Sequence, residues 1–330
     1  MVVLLELKSK MARIYGKYEA YITPLLKFVL ALVTFLLINT NIGYMKTISR
    51  FPIACILAAI CAVLPVNALI AIAMLVILAD LYALSVEVCL VGLLLFLAIY
   101  FIYFRFSPKS GFNAILMPVC FKMGIPYIVP VGSGLLGELY SVASVVCGTV
   151  IYFFLHGVHE NETVLSQASE GGTSKIKVAL NQFLGNKEMF LVAAVLAATM
   201  VVVYIIRRME IDNAWTVAWI SGILFETIGL IAGYMLLGIK GKVIGVIIGG
   251  AVSCVIAVVI QFLLFNVDYT RTERLQFEDD EYYYYVKAVP KAVIAGSDKQ
   301  VKHFTKNAEK ERISKKKFAE EMEIDEELLK

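Results

Sequence analysis

The chain has 330 residues, 60% of them hydrophobic and 17% charged, with a formal net charge of +3. Soluble domains run at about 45–50% apolar and about 25% charged, so this composition excludes an ordinary water-soluble fold and predicts lipid as the main solvent. The charges gather at the two ends and form no broad basic face, so no nucleic-acid partner is expected.

Residues 1–23 read as an amphipathic helix. Leu4, Leu7, Met11, Ile14, Tyr18 and Tyr21 recur at helical spacing, with Lys8, Lys10, Arg13 and Lys17 on the other side. Basic residues beside Tyr suit a membrane surface. The few apolar residues before Glu6 and Lys8 do not make a secretory leader. Pro24 then opens a first span over 25–42, and Tyr44, Lys46 and Arg50 sit in a short loop.

Residues 50–156 state one pattern twice. Arg50-Phe51-Pro52 leads through two short apolar pieces to Asp80-Leu81-Tyr82 and a longer helix holding Cys89. Arg105-Phe106-Ser107-Pro108 leads through Pro118, Pro126 and Pro130 to Glu138-Leu139-Tyr140 and a helix holding Cys147. The offset of about 55–58 residues is in the range of internal repeats. The pieces over 52–64 and 67–79 are about 13 residues each, roughly 20 Å, against a hydrocarbon core of roughly 30 Å. Such pairs enter and leave a bilayer by one side, or cross it as thin tilted helices. The prolines and Gly132-Ser133-Gly134 favour a broken segment in the second copy.

The loop over 157–187 is polar, with a short helix expected near 176–184 and a glycosylation-type Asn161-Glu162-Thr163 triplet. Spans are predicted over 189–206, 214–237 and 242–265. The last carries Gly241, Gly245 and Gly249 at four-residue spacing, a stripe suited to close helix packing within the monomer or across a homodimer. The fold class is therefore an all-α polytopic membrane protein of about eight membrane segments. These are six spans plus two short-helix hairpins, or eight spans, with an inverted repeat at 50–104 and 105–156. The domains follow as an N-terminal helix (1–23), two membrane parts (24–156 and 188–266) around the extracytoplasmic loop (157–187), and a soluble tail (267–330). In the tail, 271–277 and 282–289 suggest a β-hairpin and 298–330 a charged helix. Lys and Arg cluster at both ends, which places both termini in the cytoplasm and suits a plasma membrane.

No phosphate loop, zinc motif, nucleophile elbow or metal-spaced His/Cys set occurs, so neither enzyme chemistry nor a cofactor is expected. The six Cys lie in apolar segments without a C-x-x-C pair and read as small hydrophobes. Ionisable residues inside spans are functional candidates, since each costs roughly 2.5 kcal/mol or more at mid-bilayer. They are Asp80, Glu138 and Glu226, with Lys122 as the charge partner available by depth to Glu226. Carboxylates beside broken helices suit Na⁺ or H⁺. The expected function is ion-coupled transport of a small solute. The alternatives are a membrane scaffold binding a cytosolic protein through 267–330, or the permease subunit of an ATP-driven transporter.

Overall fold

A computed structural model describes residues 2–108, 110–166, 176, 183–264, 273–279 and 281–288. The expected helix over 298–330 and most of the one near 176–184 lie outside the described residues.

The membrane part is helical: α1 (Val2–Ile42), α2 (Phe51–Val63), α3 (Val66–Leu84), α4 (Val86–Phe106), α5 (Gly111–Lys122), α6 (Ile128–Leu136), α7 (Val142–Glu160), α8 (Glu162–Ser166), α9 (Lys187–Arg208), α10 (Ala214–Leu236) and α11 (Val243–Leu264). Strands β1 (Glu273–Glu278) and β2 (Tyr283–Ala288) pair antiparallel, Glu273 opposite Ala288 and Glu278 opposite Tyr283. Among the described residues, 7 helices are long and apolar enough to cross a membrane, while Phe51–Val63 and Gly111–Lys122 are shorter. Their outward residues are apolar: Leu90, Leu94 and Phe101 on α4, and Ile244, Ile248 and Val255 on α11, are all exposed. A water-facing helix would carry polar residues there.

Three expected boundaries move. The helix does not restart at Pro24: α1 runs through it, and helical geometry breaks at Tyr18. Leu7, Met11, Ile14, Tyr18 and Tyr21 are exposed, so the apolar stripe of this segment stays uncovered. The piece expected to stop at residue 79 continues to Leu84, because Asp80 is buried inside the helix instead of ending it. The span expected to begin at residue 135 begins at Val142, because Leu135 belongs to α6 and the chain turns at Gly137 and Glu138.

The bundle has two ends, named here by Tyr44 and by Arg208. At the first, Met45 N–H donates to Asp80 Oδ1 (3.0 Å), which brings the end of α3 to the end of α1. Lys122 Nζ donates to Asn41 Oδ1 (2.6 Å), which brings the end of α5 there too. At the second, Tyr103 O–H donates to Asn67 Oδ1 (2.6 Å), Ser110 and Ser141 hydroxyls meet at 2.6 Å, and Arg208 lies 3.8 Å from Glu138. Thus α2, α3 and α4 run toward, away from and toward the Arg208 end, while α5, α6 and α7 run the opposite way. The triplets are unequal in length, however, at 13, 19 and 21 residues against 12, 9 and 19.

Helix α5 stops at Gly124. With φ +78 it takes the left-handed position. Gly124 N–H donates to Phe121 O (3.1 Å) and Ile125 N–H to Cys120 O (2.9 Å). This paired motif closes a helix end and satisfies its last carbonyls. Pro126 and Pro130 then sit at the start of α6, where a missing N–H costs nothing. The returning α6 lies on α9 through Gly134, whose missing side chain leaves room for Val203 and the Met200 carbonyl. Its end is held by Arg207, which donates to the carbonyls of Leu135 and Gly137. At roughly 18 and 14 Å, α5 and α6 are each too short to span a hydrocarbon core.

Candidate functional site

The three acids do not converge. Asp80 is fully buried at the Tyr44 end. Its Oδ1 takes the Met45 N–H, and its Oδ2 has no hydrogen-bond partner among the described residues. Beside it, the Tyr44 hydroxyl is pushed up to about 12, first by burial, then by the Glu162 carboxylate, then by Asp80. Glu138 sits at the opposite end, between α6 and the short 3-10 turn at Leu139–Ser141, with its side chain 55% exposed toward Arg208. Only Glu226 lies midway along its helix. The shared cation site expected from the sequence is not formed, and no group of three His, Cys, Asp or Glu placed to hold a metal occurs among the described residues.

Glu226 is 0% exposed, and neither carboxylate oxygen has a hydrogen-bond partner among the described residues. It shares a helical stripe with Gly222, Gly229 and Gly233. A side chain at those glycines would meet Val203, Val195 and Leu191 of α9. The glycines therefore let α9 and α10 approach closely, and the close approach walls Glu226 off from lipid and water. Lys122, the expected charge partner, bonds Asn41 instead. Its helix ends at a turn that points it toward α1, away from α10.

Helix α10 also packs against α6, the helix that follows the turn at Gly124. Tyr127 opens α6, and its ring rests on Gly249 of α11. Tyr234 interacts in turn with Glu188 and Tyr127. Glu188, at the start of α9, pairs with Lys242 at 2.6 Å and is 18% exposed. Lys242 and Glu188 thus close an ion pair at the Tyr44 end, between the start of α11 and the start of α9. Neither tyrosine was singled out by sequence.

The glycine stripe on α11 divides. Gly249 packs against the Tyr127 ring, 2.6 Å from Cδ2 to its would-be Cβ, and against the Gly124 carbonyl at 3.2 Å. Gly241 and Gly245 have nothing within 4 Å. Only the third glycine serves packing among the described residues, and what it packs is the turn between α5 and α6.

On the other side of α5 lies an elongated cavity of about 140 Å³ between α1, α3, α4, α5 and α7. Ile70, Met74, Ile77, Phe96, Ile99 and Ile151 form its walls. Asn41, Lys122, Tyr152 and His156 line it toward the Tyr44 end. The His156 ring stacks on Tyr152 (5.7 Å), and its Nε2 lies 3.3 Å from Glu160. Asn161 of the glycosylation-type triplet donates through its amide to the Gly157 carbonyl and finishes α7.

No protein-family model, no curated protein and no solved structure matches the chain.

Proposed function

We propose that the chain is an integral membrane protein of secondary-transporter type, with Glu226 as its ion- or proton-carrying group and α5–α6 as a hairpin entering from the cytoplasmic side. One observation carries this reading: a carboxyl sealed at mid-span with neither oxygen bonded among the described residues, on a helix that packs against α6. A carboxylate charge there is uncompensated, which costs several kcal/mol. It is stable only when a proton or a cation accompanies it. Evolution of a structural core has no need of such a group, whereas coupled transport does.

The roles of Asp80 and Glu138 differ from that of Glu226. Asp80 holds the loop after α1, and Glu138 faces Arg208 at the rim. Those structural contacts favour a second reading, a non-transporting scaffold whose soluble tail binds a cytosolic protein. Both readings place the termini in the cytoplasm and the Tyr44 end outside.

Proteoliposomes separate the two. With an entrapped pH dye and ²²Na⁺ under imposed pH or Na⁺ gradients, the wild-type chain dissipates at least one gradient faster than empty vesicles. Glu226→Gln falls to the empty-vesicle rate, and Glu138→Gln keeps the wild-type rate. Infrared difference spectra supply a readout that needs no solute: a carboxyl band responds to pH or Na⁺ and disappears in Glu226→Gln. A wild-type protein indistinguishable from empty vesicles, with no Glu226 band responding, overturns the transport reading and leaves the scaffold.

A further inference from the structure

We infer that the cavity between α1, α3, α4, α5 and α7 is a binding site for a single-chain amphiphile with an anionic head. The inference goes beyond the Glu226 reading and does not depend on it, because it concerns binding and not ion movement.

The walls select an apolar tail. The polar groups that line the depth of the cavity already have partners: the Thr34 hydroxyl donates to Leu30 O (2.8 Å), and the Tyr103 hydroxyl to Asn67 and Pro108. A sugar or free amino acid placed there would leave its own donors and acceptors unpaired, a heavy penalty in a dry site.

The volume selects one chain. An apolar cavity of about 150 Å³ holds a benzene ring, so about 140 Å³ admits the end of one alkyl chain or a ring, and not the paired tails of a bilayer phospholipid. The cavity is long enough for this, since the stretch of α5 that lines it from Ala114 to Lys122 rises roughly 12 Å.

The Tyr44 end selects an anion. Lys122 has three donors, one of which goes to Asn41. The ion pairs formed among the described residues do not include Lys122. Of the acids at this end, Glu160 faces His156 and Glu188 pairs with Lys242. An acidic head reaching the mouth therefore meets an ammonium with no counter-ion among the described residues, with the Asn41 amide beside it. The same position disfavours a cationic head by like-charge repulsion.

The test uses the full chain in phosphatidylcholine nanodiscs and decanoate bearing a diazirine at its last carbon. After illumination, peptide mass spectrometry locates the adduct. The label is expected on Met74, Ile77, Cys147 or Ile151. Unlabelled decanoate and decyl phosphate are the competitors that separate a carboxylate from a phosphate head, and decanol competes at least tenfold less well than the better of them. Lys122→Gln lowers labelling about tenfold and Lys122→Arg restores it. Ala73→Phe, which fills the cavity from α3, abolishes it. Should Ala73→Phe fail to fold, the Lys122 pair decides alone, since that side chain is at the exposed rim. Decanol competing as well as both anions, or label spread over the lipid-facing Leu94 and Phe101 of α4, shows ordinary bilayer lipid filling an apolar gap and overturns the inference.

Discussion

Replacing Gly249 by Ala, with Gly245→Ala as its partner experiment, tests the packing of α11 on the turn between α5 and α6. Both glycines lie on α11 and one helical turn apart, so the helical preference for Ala over Gly, about 1 kcal/mol, applies to both. At Gly245 nothing lies within 4 Å of the new methyl, so that gain is the whole effect. At Gly249 the methyl meets the Tyr127 ring and the Gly124 carbonyl. The ring is held in the bundle and the carbonyl belongs to the turn, so neither yields freely, and overpacking of this kind costs about 1–3 kcal/mol. The two variants should therefore differ by about 1–3 kcal/mol, roughly 5- to 150-fold in the folded-to-unfolded ratio. Unfolding in mixed micelles measures it. The clash belongs to one ring, so adding Tyr127→Leu to Gly249→Ala should recover most of the loss, with a coupling energy visible in the double-mutant cycle. Equal shifts for the two alanine variants, or no recovery on removing the ring, refute the packing account of this helix.

Two further outcomes follow from side chains at the bundle's edge and in the hairpin. Asp80→Asn keeps an acceptor for the Met45 N–H and should be nearly neutral, whereas Asp80→Leu leaves that amide unpaired and should cost about 1–3 kcal/mol, read as faster proteolysis of the 43–50 loop. In the β1–β2 turn, Asp279 accepts from the N–H groups of Glu281 (2.9 Å) and Tyr282 (2.7 Å) and from the Tyr284 hydroxyl (3.0 Å). These bonds, the Glu281 amide first, hold its carboxyl below the usual 3.8. The folded group binds protons less readily than the unfolded one, so its contribution is complete above that value and fades as pH falls through the lower folded one. Amide protection at Glu281 and Tyr282, corrected for intrinsic exchange, should step down over that acid range, and Asp279→Ala should remove the step.

The sequence made the membrane class legible because composition alone decides the solvent. The broken second triplet was legible too, since Pro118, Pro126 and Pro130 are incompatible with one straight helix. The site was not. Asp80, Glu138 and Glu226 look alike as letters in apolar runs, and only folding separates a carboxyl tied to a loop amide, one wetted at the rim and one sealed between α9 and α10. Position along a helix gave Glu226 its depth, yet chose Lys122 as its partner, because depth says nothing of azimuth. The same limit hid the glycines that matter: Gly241, Gly245 and Gly249 are evenly spaced, while Gly222, Gly229 and Gly233 are the ones closed against a neighbour.

The end of α5 ties the two halves of the bundle together mechanically. One flank of this short rod borders the cavity, and its last turn hands over through Gly124 to Tyr127, whose ring rests on Gly249 of α11. Two backbone bonds lock the corner, and Pro126 alone separates Ile125 from Tyr127. A shift of α5 at the cavity should therefore register at Tyr127, read as a change in the NMR signal of its ring.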